Sequence, residues 1–241
     1  MRRIIWIGDS INRQNPYTTY PQTGIAQAFD RFVKRDVVIW DRAENGRSTA
    51  SYIREGWFEP VKEEMKEGDF LFIQFAHNDE KSNDPSRYTS PNTDFVVNLR
   101  YFINSAWEKK AYPVLITPAE RRIFDENGEL QETGHEPYVK AIRYTGQGMD
   151  VPVIDLWAKS REFLQEEGPE GSEKYYMVLK EGEVSWCPAG QSDNSHLRYE
   201  GAMKYGGMIA EELVKLDGIY QDLIYDGDDN DPYADLKGKE L

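Results

Sequence analysis

The chain has 241 residues, 39% of them hydrophobic and 30% charged, with a formal net charge of −14 and one cysteine. That length suits one α/β domain with a full core; lone Cys187 excludes an internal disulfide and fits a reducing compartment, and the acidic balance argues against nucleic acid or anionic membrane as the main partner. No apolar run approaches the roughly 20 residues of a membrane span, and residues 4–7 are too short for a signal-peptide core, so the sequence predicts a soluble, cytoplasmic protein.

In chain order, the apolar run at residues 4–7 predicts a first buried strand, and residues 24–33 carry helical spacing. A second strand is expected at 37–40, a helix at 60–66, a third strand at 70–75 and a helix at 94–107. A fourth strand follows at 114–116, a helix from 138 to about 145, and a fifth strand at 151–154. The last helix is predicted over 200–215, where Ala202, Tyr205, Met208, Ile209 and Leu213 form an apolar stripe. Strands this uniformly apolar belong in a parallel sheet covered on both faces. Their alternation with helices predicts an α/β fold, a three-layer αβα sandwich with a five-stranded parallel sheet.

Two stretches read as irregular, 79–91 and 168–193, with residues 175–179 pairing at an edge; long loops of this kind are often functional. No linker divides residues 1–216, so they are expected to form a single domain, with 217–241 as an acidic, loosely packed C-terminal extension of it. Residues 226–231 resemble calcium ligands, but the EF-hand register is absent, and a solvated tail is the better reading. Three histidines and one cysteine without zinc-site spacing predict no metal.

The chemistry is concentrated at the two ends. Gly8-Asp9-Ser10-Ile11 directly follows the first strand, where open α/β sheets place their reactive groups. Alone it reads most simply as a strand-to-helix turn with a capping side chain. Asp193-Asn194-Ser195-His196, just before the last helix, changes that reading. A serine hydroxyl needs a base, His196 can be one, and Asp193 can fix the imidazole tautomer. An esterase also needs oxyanion donors, and two later strand ends offer them: the backbone N–H of Gly46 and the side-chain amide of Asn78.

In that order, Gly8-Asp9-Ser10, Gly46, Asn78 and the Asp193/His196 pair resemble the four sequence blocks of SGNH (GDSL-type) hydrolases, across residues 4 to about 215. The resemblance implies Ser10 as nucleophile and His196 as base oriented by Asp193. It also implies the Ser10 and Gly46 N–H groups with the Asn78 amide as oxyanion hole, and a flavodoxin-like strand order 2-1-3-4-5. Gly-x-Ser-x-Gly does not occur, so the nucleophile elbow of ordinary lipases is not indicated. Within the superfamily the chain is most similar to bacterial rhamnogalacturonan acetylesterases, on residues 72–81, 115–122 and 193–197. It departs from them at Ala76, where glycine is usual, and at Ser195, where threonine is usual.

The resemblance implies a cofactor-free serine esterase removing O-acetyl groups from pectic (rhamnogalacturonan) oligosaccharides. A galacturonate-containing backbone calls for arginine forks. Arg42, Arg47, Arg121 and Arg122 follow strand ends, and the Arg121-Arg122 pair is the favoured carboxylate site, with His77 lining the cleft. Tyr88, Trp186 and Tyr199 are candidates for stacking on sugar rings, and His135 is expected to have no special role. The rival readings are an esterase for another acetylated sugar such as xylan oligosaccharide, a lysophospholipase or thioesterase, and a non-catalytic carbohydrate-binding protein on the same fold. A flavin or phosphate binder is a further rival, although residues 11–16 make a poor phosphate loop.

Overall fold

A computed structural model describes residues 1–216 and 218–225. Strands β1 (Arg2–Gly8), β2 (Val37–Asp41), β3 (Phe70–Gln74), β4 (Tyr112–Ile116) and β5 (Val153–Ile154) all pair in parallel, in the order β2-β1-β3-β4-β5. Successive strand side chains point to opposite faces. Ile4 and Trp6 of β1 therefore join Phe72, Val114 and Ile116 in one core cluster, while Ile5 and Ile7 join Leu71, Ile73 and Leu115 in the other. Burying each of these side chains contributes about 1.5–3 kcal/mol relative to exposure. Trp6 meets Phe29 and Phe72 edge to face, both at 5.2 Å between centroids.

Helices cover both faces, as the apolar strands require. The short α1 (Ile25–Ala28), α6 (Leu156–Gly171) and α7 (Tyr199–Lys215) close over the first cluster. The second lies beneath α2 (Thr49–Arg54), α3 (Phe58–Glu64), α4 (Asp94–Glu108) and α5 (Glu136–Met149). The helix predicted over 24–33 contracts to α1 plus a 3-10 turn at Phe29–Arg31. Helices α2 and α6 were not expected. Asp155 caps α6 by accepting the Ala158 N–H, and the helix kinks at Gly168, whose φ is 68°, just before Pro169.

Residues 176–179 do pair, but in a separate two-stranded sheet and not at an edge of the main one, and their partner is a strand in place of the expected loop. β6 (Tyr176–Leu179) and β7 (Gln191–Leu197) form an antiparallel ribbon. Its register jumps from Met177↔Asp193 to Tyr176↔Leu197, leaving residues 194–196 outside the ladder. Bulges of this sort re-aim side chains beside active sites. Residues 218–225 also differ from the loosely packed extension expected: Leu223 and Ile224 are buried in the first cluster, and Ile224 bridges Val33. The rest of that extension, including the 226–231 segment, lies outside the described residues. Among the described residues no helix is long and apolar enough to cross a membrane.

Candidate active site

Ser10 sits just past the C-terminal end of β1, on a turn that only a glycine can precede. A Cβ on Gly8 would fall 2.5 Å from Asn12 Nδ2 and 2.6 Å from the Gln74 carbonyl. Asp9 shapes the turn from inside. Its carboxylate accepts the Ile11 N–H at 3.1 Å, and its carbonyl accepts the Asn12 N–H at 3.1 Å. These bonds leave the Ser10 hydroxyl at the surface of the turn.

The β7 bulge brings its partners. His196 Nε2 lies 2.8 Å from Ser10 Oγ, and His196 Nδ1 lies 2.7 Å from Asp193 Oδ2. The other Asp193 oxygen accepts the backbone N–H groups of Ser195 at 2.9 Å and His196 at 3.0 Å, replacing the ladder bonds that the bulge loses. Burial acts to raise the Asp193 pKa, but the bond to His196 and the two backbone donors outweigh it and hold it down, at about 2. An ionised carboxylate can only accept, so Nδ1 carries the proton and Nε2 presents a lone pair to the serine hydroxyl.

On the other side of Ser10, the chain after β2 is drawn in by the Glu44 N–H, which donates to the Gly8 carbonyl at 3.0 Å. Gly46 follows with φ of 72°, a conformation suited to glycine. Asn78 is buried after β3; its Nδ2 donates to the Arg47 carbonyl at 3.1 Å, which leaves its second proton for another acceptor. Its Oδ1 accepts from Lys81 Nζ at 3.1 Å and Arg87 Nη1 at 3.2 Å, fixing which end of the amide is which. Next in sequence, Asp79 accepts the Thr49 N–H and the hydroxyls of Thr49 and Thr89, tying this loop to the start of α2. Burial pushes the Asp79 pKa up to about 7 in spite of those donors.

All three predicted substrate contacts, His77, Arg121 and Arg122, prove to be enclosed. His77 is almost fully buried, with Nδ1 3.4 Å from Asp9 Oδ2, and its ring meets that of His135 edge-on at 4.5 Å. His135, expected to be idle, is buried and lies 2.6 Å from Glu80 Oε2. Glu80 in turn pairs with Arg121. Arg121 also donates to Ser195 Oγ at 3.2 Å and to the His77 carbonyl at 3.3 Å, and its side chain is only 15% exposed.

Arg122, 10% exposed, donates to Asn194 Oδ1 at 2.7 Å, to Ser172 Oγ at 3.0 Å and to the Pro169 carbonyl. The two guanidiniums hold adjacent residues of the β7 bulge, Arg121 at Ser195 and Arg122 at Asn194, and most of their donors are committed to protein acceptors. Arg47 pairs with Glu55 at 2.7 Å, and Arg42 lies over Trp40, 3.9 Å from the ring centroid, beside a groove of about 290 Å³. Tyr88, Trp186 and Tyr199 are exposed.

Sequence reasoning missed Asp9, Lys81 and Arg87 as parts of the site. The signal for the last two was available: they are the first cations after Asn78, in a loop that leaves a strand end on the reactive side of the sheet.

A serine hydrogen-bonded to an imidazole at the C-terminal edge of a parallel sheet is the arrangement of a carboxylic ester hydrolase on an α/β fold. The chain belongs to the GDSL-like lipase/acylhydrolase family, whose model matches residues 4–204. It is 36% identical over 214 residues to the rhamnogalacturonan acetylesterase RhgT of Bacillus subtilis, covering 89% of this chain and 90% of that protein. It is 30% identical over 209 residues to the probable rhamnogalacturonan acetylesterase YesY of the same organism, covering 87% of each. Among solved structures, the Bacillus subtilis protein YXIM shares the fold with a TM-score of 0.74 at 21% identity; the match covers 89% of this chain and 56% of that one. The acetyl-xylooligosaccharide esterase Axe2 of Geobacillus stearothermophilus does so with a TM-score of 0.58 at 14% identity, covering 88% of this chain and 92% of that one.

Proposed function

We propose that this protein is a serine acetylesterase that removes acetyl groups from pectic oligosaccharides, with Ser10 as nucleophile, His196 as general base and acid, and Asp193 as its orienting carboxylate. The observation that carries the mechanism is the unbroken chain Asp193–His196–Ser10, with its two contacts of 2.7 and 2.8 Å. The pectic substrate is supported by the likeness to RhgT and YesY along nearly the whole chain.

In the first half-reaction Ser10 Oγ attacks the acetyl carbonyl carbon as its proton passes to His196 Nε2. The imidazolium is stabilised by Asp193, whose depressed pKa keeps it charged. Negative charge develops on the carbonyl oxygen, which the N–H groups of Ser10 and Gly46 and the free Asn78 Nδ2 proton receive. Among the described residues neither backbone N–H is taken by a protein acceptor. His196 then protonates the departing sugar oxygen, leaving acetyl-Ser10. Water, deprotonated by the same nitrogen, attacks this ester and releases acetate, and the proton returns to Ser10. Arg121 and Arg122 serve this cycle by holding the β7 bulge, and His77 by holding the turn that carries Ser10.

Acetate release from acetylated rhamnogalacturonan and acetylated xylan fragments, measured for wild type and Ser10→Ala, tests the reading. Release from the pectic fragments that vanishes in the variant is expected. Equal release by the variant would remove Ser10 from the mechanism, and release from xylan alone would remove the pectic substrate.

A further inference from the structure

Two cations stand on the carbonyl end of Asn78, and they differ in what balances them. Arg87 is paired: Asp84 Oδ2 lies 2.6 Å from both its Nε and its Nη2. Lys81 is not. Its Nζ donates to Asn78 Oδ1 at 3.1 Å, and among the described residues no carboxylate forms an ion pair with it. The acids beside it in sequence are engaged elsewhere, Glu80 with Arg121 and His135, Asp84 with Arg87. Desolvation, followed by the charges of Arg87 and Arg121, lowers the Lys81 pKa against the weaker opposing pull of Asp9 and Glu80.

Among the described residues Asp9 and Glu80 act on this partly buried ammonium electrostatically, but none forms an ion pair with it. A cation removed from water without a counter-charge is unfavourable unless something else supplies the anion. An ammonium has three protons, and Asn78 uses one. Arg87 also reaches over the oxyanion loop, where a Cβ on Gly46 would lie 3.9 Å from its Nη1. Lys81 and Arg87 share the acceptor Asn78 Oδ1, so both border the amide whose Nδ2 would meet the ester carbonyl.

We propose that Lys81, backed by Arg87, is the subsite for a carboxylate carried by the sugar substrate, the uronate of the acetylated residue or of its neighbour. The proposal rests on the esterase reading above and deepens it. It places the carboxylate on the loop after β3, in contrast to the Arg121-Arg122 pair after β4, whose donors are committed. An acetylated sugar lying across Asn78 would put its ester carbonyl on Nδ2 and its acid group on Lys81, at opposite ends of one amide.

The test compares free-acid and methyl-esterified forms of one acetylated rhamnogalacturonan oligosaccharide. Wild type is expected to favour the acid form in kcat/KM by about tenfold or more, the order of a lost charge-assisted hydrogen bond. Lys81→Met abolishes that preference, chiefly through KM; Arg87→Gln reduces it; Lys81→Arg retains it. If Lys81 only held Asn78, Lys81→Met would lower kcat on both forms equally and leave the preference intact, which overturns the subsite while the esterase reading stands. Absence of any acid preference in wild type overturns it too. Turnover of 4-nitrophenyl acetate without release from either oligosaccharide would overturn the pectic reading, and the subsite with it.

Discussion

Two Asp–His pairs flank Ser10, and they are built from the same groups in opposite surroundings. Asp193 and His196 have side chains 30% and 31% exposed and meet at 2.7 Å. Asp9 and His77 are 1% and 9% exposed and meet at 3.4 Å. The first pair can pass a proton to a bound substrate, because its free imidazole nitrogen faces the Ser10 hydroxyl. The second faces inward. Burial lowers the His77 pKa against the opposing pull of Asp9 and so favours the neutral ring. The 3.4 Å contact leaves Asp9 Oδ2 without a hydrogen bond among the described residues, so the pair acts as a packed strut. That strut joins the turn after β1 to the loop after β3, and so holds Ser10 and Asn78 in register. On the proposed reading, chemically similar pairs divide into proton carrier and brace, and they differ in exposure and in separation.

Mutating each imidazole is the strongest way to break this division. His196→Ala should lower kcat by about 10⁴-fold or more, as removal of a triad base does. His77→Gln, which keeps a donor toward Asp9, should cost no more than about 10²-fold, the scale of a small displacement of reacting groups. Steady-state kinetics on 4-nitrophenyl acetate checks both. Equal losses would mean that the buried pair does more than brace.

Acid–base behaviour sharpens the contrast between open and enclosed carboxylates. Asp193, with a folded-state pKa near 2, binds fewer protons folded than unfolded; its contribution is present above about pH 4 and is lost as pH falls through 2. Asp79, raised to about 7, has the opposite sign. The folded state holds its proton more tightly, so the stability of wild type relative to Asp79→Asn should fall as pH rises from about 4 to 7 and level off above. Urea melts of both proteins across that range measure it; a difference independent of pH would mean that Asp79 is not held protonated.

The smallest expected effect lies at the joint between β3 and the buried strut. Ala76 has φ of 148°, a backbone region that favours glycine, and it occupies the position where the rhamnogalacturonan acetylesterases it resembles usually carry glycine. Relief of about 1–3 kcal/mol of strain, set against about 0.5–1 kcal/mol of extra chain entropy, predicts that Ala76→Gly is stabilising by about 1 kcal/mol. A fall in stability on thermal or urea melting would show that the strain is not there.

The parallel sheet was legible because its strands are near-continuous apolar runs with few competing assignments. Helix α6 was not, since Gly168-Pro169 and the acids around them carry loop signals even though Asp155 caps a good helix. β7 was hidden for a different reason: Gln191 to His196 are all polar, and the strand exists through pairing with β6 and through Arg122 holding Asn194. Ser10, Gly46 and Asn78 were readable as residue types after strand ends, and Asp193 and His196 as a pair just before the last helix. The roles of the arginines were not, because position at a strand end does not fix where a guanidinium points. Asp9 and His77 required the closed fold, since they touch only when the ends of β1 and β3 lie side by side.

The most direct test of the division between the two pairs is labelling with a fluorophosphonate, with the modified residue mapped by mass spectrometry. The label is expected on Ser10, at a rate that collapses in His196→Ala and survives in His77→Gln. A label on another residue, or a rate on Ser10 that depends on His77 as strongly as on His196, would contradict the assignment of proton transfer to the exposed pair.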